Sequence, residues 1–157
     1  MPNYSGVWKL KEVLEYIAAG EWPDATAAIG LFGGGGGGPL TNVIDKVIID
    51  TAGNATDFGD LYFATEGAGC CSSSVRGIWG GGTGGLSNVI QYVTIKTEGN
   101  SQDFGDLVAT NRYVAACSNE TTGVFGGGDN DDTIQSITIA STGNAVDQGN
   151  LSSQRFY

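Results

Sequence analysis

Apolar and polar positions recur in blocks along the chain. Three times a glycine, an aliphatic residue and an aromatic run into a glycine tract: Gly30-Leu31-Phe32, Gly77-Ile78-Trp79 and Gly123-Val124-Phe125. A stretch of alternating character follows each tract. In it Val47, Val93 and Ile137 are equivalent, as are Ile49, Ile95 and Ile139, with Ile48, Thr94 and Thr138 between them. Alternation of period two predicts a strand whose aliphatic positions share one face. Phe32, Trp79 and Phe125 join those six as the predicted core of the repeat. Each block then passes through a Gly-Asn pair (Gly53-Asn54, Gly99-Asn100, Gly143-Asn144), read as a turn.

The aromatic recurs at intervals of 47 residues (32 to 79) and 46 residues (79 to 125), and the glycine of the Gly-Asn pair at 46 (53 to 99) and 44 (99 to 143). This period lies in the range of propeller blades and solenoid units. The units run over 30–76, 77–122 and 123–157. Toward the end of the first and second units the link to the next is a strand of small residues, Ala68-Gly69-Cys70-Cys71 and Val114-Ala115-Ala116-Cys117. Such small side chains suit a strand crowded near the centre of an assembly, with Cys71 and Cys117 as equivalent packing positions.

Residues 1–29 differ in kind. Leu10, Val13, Leu14 and Ile17 fall at i, i+3, i+4 and i+7, one stripe of a short amphipathic helix that Gly20 ends. Trp22-Pro23 begins an extended connection. A helix this short needs a surface to pack on. Trp8, the stripe, Trp22 and Pro23 are therefore the candidate docking residues.

Composition narrows the function. A net charge of −10, with seven scattered bases, lacks the clustered Lys and Arg of a nucleic-acid binder. Histidine is absent, which removes the commonest general base and metal ligand together. Three cysteines, two of them adjacent, form neither a disulfide framework nor a zinc site. No stretch approaches the roughly 20 apolar residues of a membrane span. The first residues lack the basic and apolar regions of a signal peptide. The reading is synthesis in the cytoplasm, with no membrane insertion and no cofactor.

Motifs that suggest catalysis fail on context. Asp57-Phe58-Gly59 and Asp103-Phe104-Gly105 spell the metal-binding tripeptide of protein kinases, but no strand lysine or catalytic loop accompanies them. The third unit has Asp147-Gln148-Gly149 instead. Gly33 to Gly38 satisfies a phosphate-loop pattern only because all six residues are glycine, and it leads into a strand. Asp129, Asp131 and Asp132 are candidate calcium ligands, against the alternative that Asp and Asn cap turns here. Tyr92, Arg112 and Tyr113 depart from their counterparts in the first unit and form a candidate ligand surface, against a plain surface role. No residue is assigned to catalysis, and the chain is read as a non-enzyme.

Arg76-Gly77-Ile78-Trp79-Gly80-Gly81-Gly82, followed by Tyr92 and Asp103-Phe104-Gly105-Asp106-Leu107, resembles a kelch-like blade. The pattern GGG…I-x-Y-(I/V)-T-I…GN-x-x-DFGDL is similar to the Gly-rich kelch-like repeats of virion proteins, of tail-fibre or surface-fibre type, from tailed phages of cyanobacteria. The leader also looks like the N-terminal segment of such proteins. Lys46 and Ser136 in place of Tyr92, and Gln148 in place of Phe58 and Phe104, depart from the pattern. The resemblance implies an all-β fold of propeller-type repeats with a short N-terminal helix. It implies a virion structural protein, a fibre or surface-decoration subunit located in the extracellular particle. Propellers close with about four to eight blades, so three units imply completion by a homo-oligomer, a dimer or a trimer. Other virion proteins would bind the leader, and a host surface glycan is a candidate ligand. The alternatives are a carbohydrate- or receptor-binding module and a subunit of an extracellular filament.

Overall fold

The computed structural model describes residues 28–83, 87–129 and 131–155. The predicted leader helix, with Trp8, Leu10, Val13, Leu14, Ile17, Trp22 and Pro23, lies outside them.

The described chain is all-β, without a helix. Its strands are β1 (Ile29–Gly33), β2 (Val43–Ile48), β3 (Thr56–Asp60), β4 (Gly69–Ser72), β5 (Arg76–Gly80), β6 (Val89–Thr94), β7 (Gln102–Asp106), β8 (Ala115–Ser118), β9 (Thr122–Gly126), β10 (Thr133–Thr138) and β11 (Val146–Asn150). They form three antiparallel sheets in the orders β1-β2-β3, β4-β5-β6-β7 and β11-β10-β9-β8. The small-residue links of the sequence are β4 and β8. Each pairs with the strand after it, Cys70 opposite Trp79 and Ala116 opposite Phe125. The first sheet has three strands and the others four. Among the described residues nothing pairs with the second edge of β1.

Each sheet slips register at the same point. Ile44 faces Gly59 while Asp45 faces Asp57, leaving Phe58 as an extra residue. Phe104 and Gln148 occupy the same place in the other two sheets. The kinase-like tripeptide is thus a β-bulge, which bends the outer strand and aims its aromatic residue out of the ladder. Glycine follows because the backbone there is left-handed, with φ of 148° at Gly59 and 145° at Gly105.

The core lies between successive sheets. Trp79 of the second sheet is buried in one cluster with Ile44, Phe58 and Leu61 of the first. Phe125 of the third sheet is buried with Ile90, Phe104 and Leu107 of the second. Burying each of these side chains contributes roughly 1.5–3 kcal/mol. The rings pack against glycine backbone: a β-carbon on Gly33 would meet the Trp79 indole at 2.9 Å, and one on Gly80 the Phe125 ring at 2.7 Å.

Candidate assembly interface

Two joints, between sheets one and two and between sheets two and three, share one construction. At the first, the Gly99 N–H donates to the Phe58 carbonyl (2.8 Å) and the Ser101 N–H to the Asp60 carbonyl (2.8 Å). The Asp60 N–H donates back to the Asn100 side-chain oxygen at 3.0 Å. At the second, Gly143 N–H donates to Phe104 (2.7 Å) and Ala145 N–H to Asp106 (2.8 Å). Asp106 N–H again donates back, to Asn144 Oδ1 at 3.1 Å. Gly99-Asn100 and Gly143-Asn144 are therefore not the turns expected from sequence. Each is an extended piece that clips its sheet to the outer strand of the sheet before it. The hairpin reverses just upstream, where the Thr51 N–H reaches the Ile48 carbonyl.

A buried glutamine completes each joint. The Gln91 side-chain oxygen accepts the Tyr62 N–H at 2.7 Å, and that of Gln135 accepts the Val108 N–H at 2.7 Å. Both glutamines are buried. A polar side chain is tolerated there because it satisfies a main-chain donor of the neighbouring sheet; at the first joint Ser101 Oγ shares the Tyr62 N–H and donates to Gln91 in turn, both at 2.8 Å. No sequence pattern marked these residues. The one available signal is a Gln recurring where strand alternation calls for a buried side chain.

At the two ends of the array the same surfaces have no counterpart among the described residues. Phe32 is 65% exposed, whereas its equivalents Trp79 and Phe125 are 3% and 0% exposed. Ile49 is also exposed, whereas Ile139 is buried. Phe32 and Ile49 were expected in the core with Trp79, Phe125, Val47, Val93, Ile137, Ile95 and Ile139. They are surface residues in this chain because the first sheet has no described sheet before it to receive them. Val93 and Ile137 are buried, and Val47 and Ile95 partly so. At the opposite end every residue of β11 is exposed. A β-carbon on Gly126, equivalent to Gly33 and Gly80, would meet nothing within 4 Å. The same holds for Gly149, whereas a β-carbon on Gly59 or Gly105 would collide with the backbone carbonyl of Gly99 or Gly143.

The cysteines follow this geometry. Cys71 is buried, with its sulfur 2.7 Å from where a β-carbon on Gly123 would stand, and burial pushes its thiol up to about 12. Cys117 holds the equivalent register position, opposite Val124 as Cys71 is opposite Ile78, yet it is exposed. No fourth sheet covers it among the described residues. An open cavity of about 240 Å³ lies beside the free edge of β1, lined by residues including Ile29, Leu31, Cys70 and Trp79.

The other candidates are engaged internally. Asp129 accepts from Arg112, with Nε at 2.8 Å and a terminal nitrogen at 2.7 Å. That pairing raises the Arg112 guanidinium above its ordinary value. Asp131 takes the Asn111 amide on one oxygen, and the Thr133 N–H and hydroxyl on the other. Asp132 lies beside them and is partly buried. Among the described residues no group of His, Cys, Asp or Glu is arranged to hold a metal ion. Tyr92 lies under the Arg76 guanidinium (4.4 Å from the ring centre), edge-on to Phe104, with its hydroxyl donating to Gln102. Arg112 and Tyr113 are brought together (5.4 Å), and Tyr113 is held at φ 55° with its N–H on the Gly67 carbonyl. Tyr92 makes its contacts elsewhere, so the three do not form one patch.

No helix among the described residues is long and apolar enough to cross a membrane. No protein-family model and no curated protein matches the chain.

Proposed function

We propose that this protein is a structural subunit that self-assembles through its β-repeats, a fibre or surface-decoration subunit of a phage particle. The observation that carries the self-assembly is the unmatched exposure of Phe32, a large aromatic at a position that the same chain buries twice. An exposed apolar patch that internal repeats bury against a neighbour marks an interaction surface. Completion of the kelch-like array by further sheets is part of this reading. The phage setting rests on the resemblance of the glycine tracts, the Asp-Phe-Gly-Asp-Leu runs and the leader.

Deleting residues 1–23 tests the division of labour. The reading expects the shortened chain still to assemble but to lose incorporation into particles. Glycan capture by the repeats alone, without particle incorporation by the intact chain, would instead make the protein a carbohydrate-binding module.

A further inference from the structure

We infer that the chain joins a second copy of itself head to tail, the face of the first sheet seating on the outer face of the third, in the register that already joins its own sheets. This deepens the self-assembly reading and rests on it. The occupant is identified by continuity: the same joint is built twice within one chain, and each half of a third joint is present and open at opposite ends.

The matching halves can be named. On the head, Gly53-Asn54-Ala55 stands where Gly99-Asn100-Ser101 and Gly143-Asn144-Ala145 stand in the made joints. On the tail, Gln148-Gly149-Asn150 stands where Phe58-Gly59-Asp60 and Phe104-Gly105-Asp106 stand. By that register the Gly53 and Ala55 N–H groups of one copy donate to the Gln148 and Asn150 carbonyls of the other. The Asn150 N–H returns to the Asn54 side-chain oxygen. Asp45 occupies the strand position of Gln91 and Gln135 and supplies the same kind of acceptor, here for the Ser152 N–H. Main-chain donors and acceptors thus pair across the contact as they do within the chain.

The apolar parts match as well. Phe32 takes the role of Trp79 and Phe125, and its ring comes to lie over Gly126 as theirs lie over Gly33 and Gly80. Ile134 and Leu151, equivalents of Ile44 with Leu61 and of Ile90 with Leu107, are only partly buried on the tail and form the floor. Cys117 turns toward Gly30 of the arriving copy, as Cys71 does toward Gly123. Gln148 replaces the floor phenylalanine, so this joint is less apolar than the two within the chain. The contact is heterologous, with a different face on each partner, so it closes into a ring or propagates as a filament.

Two substitutions at solvent-open positions block one half each. Phe32→Asp disables the head and leaves the tail intact. Gly126→Leu fills the space meant for the ring and leaves the head intact; its backbone is not left-handed, so the side chain adds no strain. Masses by native mass spectrometry and light scattering give the readout, with urea midpoints confirming that both variants fold. Each variant alone is expected to lose every species heavier than one chain. An equimolar mixture is expected to yield a two-chain complex with one copy of each and nothing larger. Cys117 is expected to be protected from alkylation in the wild-type assembly and reactive in Phe32→Asp, by peptide mapping. If wild type assembles but the variants assemble equally well, or if mixing restores nothing, the head-to-tail joint is overturned while self-assembly stands. If wild type itself stays a single chain, both fall.

Discussion

Removing an aromatic ring at equivalent positions should have opposite consequences in this chain. Phe125 is fully buried, and its ring lies against the backbone of Gly80 and Gly69, which carry no side chains that could move in to fill a void. Phe→Ala in a core costs about 3–5 kcal/mol, and a site that cannot collapse lies toward the upper end. Phe32 is 65% exposed. Only about a third of its surface is left to lose, so of the roughly 1.5–3 kcal/mol for full burial, Phe32→Ala costs a single chain about 1 kcal/mol or less. Urea unfolding at dilutions where chains are separate reads both. On a common slope of about 1–3 kcal/mol per molar urea, the Phe125→Ala midpoint shift should be at least about threefold that of Phe32→Ala. The same two variants, concentrated, should invert in order: Phe32→Ala loses assembly, while the fraction of Phe125→Ala that remains folded retains it. Equal midpoint shifts for the two would refute the reasoning, because Phe32 would then be as fully packed as its equivalents.

Gly105→Ala should cost at least about 1–3 kcal/mol in backbone strain, and more because its β-carbon would stand 2.5 Å from the Gly143 carbonyl. Gly149→Ala carries the strain alone, and limited proteolysis should release the third sheet only in the former. Gln135→Ala strands the Val108 N–H at a buried joint and should cost about 1–3 kcal/mol, lowering the thermal midpoint by several degrees. The Glu120 carboxylate accepts the Ser74 N–H at 3.0 Å, which holds it below the usual carboxylate range. Its contribution is therefore complete above the unfolded pKa and lost as pH falls through the lower folded value. Glu120→Gln should remove that pH dependence, lowering stability slightly at neutral pH and leaving it nearly unchanged in acid, read as urea midpoints across the pH range.

The repeat was legible in the chain because it repeats the same local physics. Period-two alternation at Val47, Val93 and Ile137 names a strand face, and glycine after Phe58 and Phe104 meets a bulge that needs left-handed backbone. What periodicity does not carry is the identity of the neighbour. Phe32 and Trp79 look alike in sequence, and only the sheet preceding each one separates a surface ring from a core ring. Gly99-Asn100 and Gly143-Asn144 have the composition of turns, yet the Gly99 and Gly143 N–H groups are spent on the sheet before them. Gln91 and Gln135 carry no mark in the sequence, because the Tyr62 and Val108 amides they accept from belong to the neighbouring sheet. Tyr92 looked free to bind a ligand because Arg76 and Phe104, its contacts, lie on other strands.

The central claim, that this chain is unfinished alone and is completed by copies of itself, is tested most directly by the solution mass of the unmodified protein over a range of concentrations. The account predicts a mass of two or more chains that falls to one chain on Phe32→Asp. A single-chain mass for the wild type at every concentration, with one cooperative unfolding transition, would contradict it.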